Sequence, residues 1–274
     1  MVYRVKILSL AYYLTDNSSY ASKAGQLLRV WFLNNGTKMN PNLQHAEMER
    51  GINDGSRSGI INGKDLPGVI DAIELIRHSP SWSNQDQQGM KLWFSKYLDW
   101  LLNSMHGKQE KLRLDNHGTW YDVQVSSIAL YLNKTDIAKS IIQGITVHEL
   151  IPKQIEPDGR QPLELTRTHS LDYSIFNLLG LFKLADLGQH LGIDIWDYKT
   201  PQGAGLQKAL DYLLPYILKK QRWPYLQIEP VNTKNLVELL CRAELHYQNN
   251  QSYMQACNSV STKEIIDPAR IFPP

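Results

Sequence analysis

The chain has 274 residues, with 29 basic and 27 acidic side chains and a formal net charge of +2. That length supports a substantial core, and 42% hydrophobic with 20% charged residues excludes a disordered chain. The near-neutral balance removes any general electrostatic case for nucleic acid, and no apolar run reaches the roughly 18 residues that a membrane span needs.

The first stretch, MVYRVKILSLAYYL, places Arg4 and Lys6 ahead of a short apolar run, as a signal peptide does. Ile7, Leu8, Leu10, Ala11 and Leu14 nevertheless fall at helical spacing, which predicts a first helix over about residues 3–14. A polar turn at Thr15–Ser19 leads to a second helix over about 20–34. Residues 34–59 are rich in Gly and Asn and read as loop. Further helices are expected at about 65–78, 86–104, 120–132, 135–148, 171–191, 205–219 and 233–247, with a proline-containing loop over 149–170. No alternating strand pattern appears. AYYLTDNSSYASKA (11–24) resembles ALYLNKTDIAKS (129–140), a faint repeat of helix, polar turn and helix. Such hairpins build solenoids or toroids. The expectation is an all-α, single-domain (α/α) toroid, with loops 34–64, 107–119 and 149–170 on one rim. Cys241 and Cys257 read as ordinary thiols, with one bridge as the alternative.

Three polar clusters sit at or beside these loops. MNPNLQHAEMERGINDGSRSGII (39–61) offers Asn42, His45 and Arg57. His45 and Glu49 are four residues apart, but no third ligand accompanies them, so a surface pair is expected and no metal. LDNHGTWYDVQ (114–124) sets Asn116 and His117 before Trp120, Tyr121 and Gln124. Either Asp115 or Asn116 caps a helix that starts near Trp120, or the segment is one wall of a cleft, where a helix start favours anions. PDGRQPLELTRTHSLDYSIFNL (157–178) crowds Glu164, Arg167, His169, Asp172, Tyr173 and Asn177 into a loop that becomes a helix. Ser170 is the expected cap, with Asn177 one turn beyond Tyr173 on the same face. The bland alternative is a surface ion pair between Glu164 and Arg167.

These blocks, together with WFLNNGTKMNPNLQHAEMERG and LGIDIWDY, resemble the signature segments of the alginate lyase family of polysaccharide lyases, in the family's order and over roughly residues 7–218. The resemblance implies an (α/α) toroid that cleaves a uronic-acid polymer (alginate, polymannuronate or glucuronan) by β-elimination, leaving an unsaturated uronate end. It implies Asn116 and His117 as a catalytic pair, Tyr173 as the catalytic tyrosine and Arg167 as the carboxylate-binding arginine. Asn42, Arg57, Trp120, Tyr121, Gln124, Glu164 and Asn177 become candidate substrate contacts. No cofactor is implied, and the implied location is secreted or periplasmic. Family members usually carry a longer N-terminal part, so a shortened member is expected, and a weak or inactive carbohydrate-binding toroid is the alternative.

The implied chemistry explains the residue types. A uronate C5 proton lies α to a carboxylate, and its removal loads more negative charge onto an anion. A cation and hydrogen-bond donors must first neutralise that group, which suits Arg167 and Asn116. A base then takes the C5 proton while an acid protonates the departing C4 oxygen. Histidine titrates near pH 6.5 and tyrosine near 10 in ordinary surroundings. His117 as base with Tyr173 as acid fits a substrate whose reacting bonds lie on opposite faces. Tyr173 in both roles fits one whose bonds share a face.

Overall fold

The computed structural model describes residues 1–248 and 250–265, with side chains through Val260. Among them no strand forms, and two isolated bridges, Glu49–Asn53 and His169–Gln227, are the extent of β-pairing. The chain divides into two compact units, one of Met1–Arg113 with Trp120–Ile141, the other of Leu114–Thr119 with Ile142–Pro274.

In the first unit, α1 (Val2–Thr15) ends where Asp16 takes a left-handed φ of 53°. Asn17 then caps α2 (Ser18–Leu28) by accepting the Ser19 N–H. A π-helical turn, Arg29–Leu33, extends α2. After a 3₁₀ turn (Arg57–Gly63) come α3 (Pro67–Ile76), α4 (Asn84–Asn103) and α5 (Met105–Glu110). Ser83 and Asp86 form a capping box at the start of α4. The same Asp86 accepts two hydrogen bonds from Arg29, at 2.8 and 2.7 Å. Burial pulls the Asp86 carboxyl up, but the bonds from Arg29 and Ser83 outweigh it and hold the group at about 2. Phe32, Trp93, Phe94 and Tyr97 pack as a ring cluster, with neighbouring centroids 4.7, 5.2 and 5.4 Å apart.

Helix α6 spans Asn116–Tyr131 and α7 spans Thr135–Lys139, continued by a π-helix over Ser140–Leu150. The α6–α7 turn contains Asn133 at φ 58°, as the α1–α2 turn contains Asp16. The repeat noted in the sequence therefore corresponds to one turn geometry used twice. The start of α6 corrects the expected boundary near Trp120, and α5 occupies part of the expected loop 107–119. Loop 149–170 is interrupted by two short helices, α8 (Ile151–Gln154) and α9 (Pro162–Leu165), each with a proline in its first two positions.

In the second unit, α10 (Ser170–Gln189) is the central helix. Leu171, Ile175, Leu178, Phe182 and Ala185 are buried along one face at helical spacing. Around it come α11 (Leu206–Ile217), α12 (Thr233–His246) and α13 (Gln251–Ile265). Lys183 pairs with Glu238 at 2.6 Å, and Arg242 bonds both Glu238 and Asp186. Gly159 holds the 155–161 loop against α11. Its φ is +94°, and a Cβ there would sit 2.2 Å from the Lys208 carbonyl. A disulfide joins Cys241 of α12 to Cys257 of α13, so the expectation of two thiols is corrected. Helix α13 lies beyond the last helix expected from the sequence, and it buries Tyr253, Ala256 and Cys257.

Candidate active site

The residues that the sequence singled out at 116–117 and 164–177 all belong to the second unit. The first turn of α6 is set there by acceptors from outside the helix. Asp115 Oδ1 accepts the His117 N–H at 3.2 Å. The Glu164 carboxylate accepts the Asn116 backbone N–H at 2.7 Å and its Nδ2–H at 2.8 Å. These contacts account for the helix beginning at Asn116 rather than near Trp120: its free N–H groups already have partners.

A chain of buried side-chain amides then ties this turn to α10. Gln154 Nε2 donates to the Asp115 carbonyl at 3.2 Å and to Thr119 Oγ1 at 3.0 Å. The Thr119 hydroxyl donates to Asn177 Oδ1 at 2.7 Å. Asn177 Nδ2 donates to Gln154 Oε1 at 3.0 Å and to Gln161 Oε1 at 2.8 Å, and Gln161 Nε2 donates to the Ser174 carbonyl at 3.0 Å. A buried network with each donor matched fixes one arrangement, because any shift leaves a desolvated polar group unpaired.

Tyr173, one turn into α10, is partly exposed. The Arg167 guanidinium lies 4.0 Å from the centre of its ring, a cation over an aromatic face. Tyr173, His169, Asp172, Phe176, Asn232 and Asn235 line a cavity of about 240 Å³. That is below the ~300–1,000 Å³ of whole-ligand pockets, so it suits one end of a ligand rather than a polymer. Gln227 serves as the cap for α10, its Oε1 accepting the Leu171 N–H at 2.9 Å while Nε2 donates to Asp172 at 2.9 Å. The expected cap, Ser170, instead donates to the Leu226 carbonyl and accepts from Trp223 Nε1. Asp172 also accepts the Asn232 N–H at 2.7 Å, which brings the start of α12 to the cavity.

Several of the residues expected as substrate contacts are buried in the fold. Glu164 and Asn177 are enclosed and their polar atoms are engaged with protein, so they shape the site from behind. In the first unit, Trp120, Tyr121 and Gln124 are likewise enclosed. The Tyr121 hydroxyl donates to the Leu101 carbonyl at 3.0 Å, and burial pushes its phenol well above the usual range. Gln124 accepts from the Tyr97 hydroxyl at 2.8 Å and donates to the Ile60 carbonyl at 3.1 Å. Asn42 is partly exposed and accepts the Gln44 N–H, Arg57 is exposed, and both belong to the first unit. His45 donates from Nδ1 to the Asp54 carbonyl rather than pairing with Glu49. Arg167 stacks on Tyr173 instead of forming a surface pair with the buried Glu164.

His117, Arg167 and Tyr173 remain partly exposed, whereas Asn116 has 0% of its surface accessible. Asn232, Asn235, Gln154, Gln161 and Thr119 were missed. An Asn at the head of VNTKN was the available cue for Asn232, a strong helix cap. The amides of the buried network carry no local signal. Among the described residues, the grouping that could hold a metal is Cys241, Glu244 and Cys257, and the disulfide occupies both sulfurs.

A family model described as alginate lyase matches residues 1–223. An alginate lyase from Bacteroides ovatus is 36% identical, with a TM-score of 0.87 over 93% of this chain and 68% of its own. Alginate lyase A1-III from Sphingomonas species A1 has a TM-score of 0.65 at 15% identity, over 92% of this chain and 69% of its own. A histidine-to-alanine variant of A1-III complexed with a tetrasaccharide superposes at 0.65 with 16% identity, over 92% of this chain and 68% of its own. The last two likenesses establish the fold alone. No protein of curated function matches.

Proposed function

Because the chain belongs to the alginate lyase family and has its all-α, (α/α) toroid fold, we propose that it cleaves an uronic-acid polymer by β-elimination with Arg167, Asn116, His117 and Tyr173. The observation that carries this reading is the Arg167 guanidinium held 4.0 Å over the Tyr173 ring, beside a cavity that Tyr173 itself lines. A carboxylate-binding cation and a phenol that can move a proton thus stand within one sugar residue of each other.

Arg167 grips the uronate carboxylate through its planar fork. Asn116 gives one amide hydrogen to Glu164 and has a second to donate to the same carboxylate. Being enclosed, it meets the ligand only after the side chains over it are displaced, whereas Arg167, His117 and Tyr173 are reached directly. A base, either His117 or a Tyr173 that has first given up its phenolic proton with His117 assisting, removes the C5 proton, and the electron pair forms the C4–C5 double bond as the C4–O bond breaks. Tyr173 protonates the departing oxygen. The two compact units serve one catalytic domain in this reading. The Cys241–Cys257 disulfide supports an exported location, since such bonds persist in oxidising compartments. Among the described residues no helix is long and apolar enough to cross a membrane.

The test is the ultraviolet absorbance of unsaturated uronate on incubation with alginate, polymannuronate, polyguluronate and glucuronan. A rise with at least one polymer supports the reading and names the substrate. No rise with any of them refutes it.

A further inference from the structure

Glu164 is an unusual partner for a helix start. It lies 48 residues away in sequence, in α9, and only 1% of its surface is exposed. Burial pushes its carboxyl up to about 7, with the two Asn116 donors pulling it down, the Asp115 charge adding to the rise and the Arg167 charge opposing it. An exposed Ser or Asp cap stabilises a helix by ~1 kcal/mol without any such penalty. Helix formation alone therefore gives no reason to bury a carboxylate here.

The hydrogen-bond pattern supplies one. A cap needs only the backbone N–H, yet Glu164 also takes a side-chain hydrogen of Asn116, at 2.8 Å. That second bond decides which way the carboxamide faces. Asn116 Oδ1 is buried without a partner among the described residues, so no other protein contact orients the amide. Glu164 also adjoins the segment that carries the cation: its backbone carbonyl accepts the Arg167 backbone N–H at 3.2 Å. One residue thus spaces the backbone of the guanidinium-bearing segment against the turn that carries Asn116 and His117.

We propose that Glu164 is a positioning residue of the elimination site, its carboxylate fixing the Asn116 carboxamide and, through the Asn116 backbone, the turn that carries His117. This rests on the lyase reading above. The Glu164→Gln variant keeps the shape and one acceptor but loses the paired acceptors. The amide network through Thr119, Gln154 and Asn177 holds the helix start independently, so the fold survives while the carboxamide is released.

The experiment is a double-mutant cycle of E164Q with Asn116→Ala, measured by steady-state elimination on the polymer that the wild type cleaves. A misplaced group costs on the order of 10²-fold in rate. E164Q is expected to lower kcat by roughly 10- to 100-fold with KM moving less than about threefold. In the N116A background the same change adds no further loss, because Glu164 acts through Asn116. A kcat within about twofold of wild type, or losses that multiply across the cycle, overturns the proposal. Should E164Q fail to fold, Glu164→Asp, which keeps the charge but withdraws it by one methylene, goes through the same cycle with the same criteria. A wild type inactive on every uronate polymer refutes the lyase reading. An active wild type with a fully active E164Q refutes the positioning role alone.

Discussion

Glu164→Gln also has a stability consequence that is independent of catalysis. Burial places the wild-type carboxyl at about 7 in the folded chain, against an ordinary value of 4.5. The folded state therefore binds the proton more tightly than the unfolded chain, and stability is greatest with Glu164 protonated. As pH rises from about 4.5 to about 7 the unfolded chain ionises first, and stability falls; above about 7 the loss is complete. The difference corresponds to about 3 kcal/mol, or roughly 6–12 °C in Tm for a chain of this size. Asp86, held at about 2, loses its contribution only in more acidic solution and leaves this window undisturbed. Thermal unfolding of wild type and E164Q at matched ionic strength, from pH 5 to pH 8, isolates the effect as a difference. The variant is expected to lack the downward slope and to melt above wild type at pH 8. Parallel slopes in the two proteins would refute the assignment of this proton to Glu164.

Tyr173→Phe removes only the phenolic proton and is expected to cost on the order of 10²–10⁴-fold in elimination rate, with an unchanged circular dichroism spectrum; near wild-type turnover would exclude the phenol from the chemistry. Arg167→Lys keeps the charge but loses the planar fork that meets a carboxylate bidentately and stacks on Tyr173. Steady-state kinetics should show kcat falling more than KM changes, whereas unchanged kcat would dismiss the carboxylate clamp. Reducing the Cys241–Cys257 bridge, which closes a separation of 16 residues, should lower stability by about 3 kcal/mol. Equilibrium denaturation with and without reductant measures this, and coincident curves would show that the bridge contributes nothing.

What the sequence determined by itself was the local order. Period-3.6 apolar spacing marked the long helices, and the repeated polar turns at Asp16 and Asn133 were legible because each needs a residue tolerant of left-handed φ. The blocks around Asn116–His117 and Arg167–Tyr173 carried the resemblance to the family because they set uncommon combinations of residue types in a fixed order along the chain. The tertiary structure decided which of these polar residues are enclosed and which stay exposed. Glu164, Gln124 and Asn177 read as substrate contacts in the sequence, since an amide or carboxylate beside a loop looks the same whether exposed or enclosed. In the fold their partners come from distant segments: Asn116 for Glu164, Tyr97 and Ile60 for Gln124, Gln154 and Gln161 for Asn177. Burial is set by those distant neighbours, and no local pattern encodes it. The disulfide followed the same logic: two cysteines became a bridge only once α12 and α13 were packed side by side.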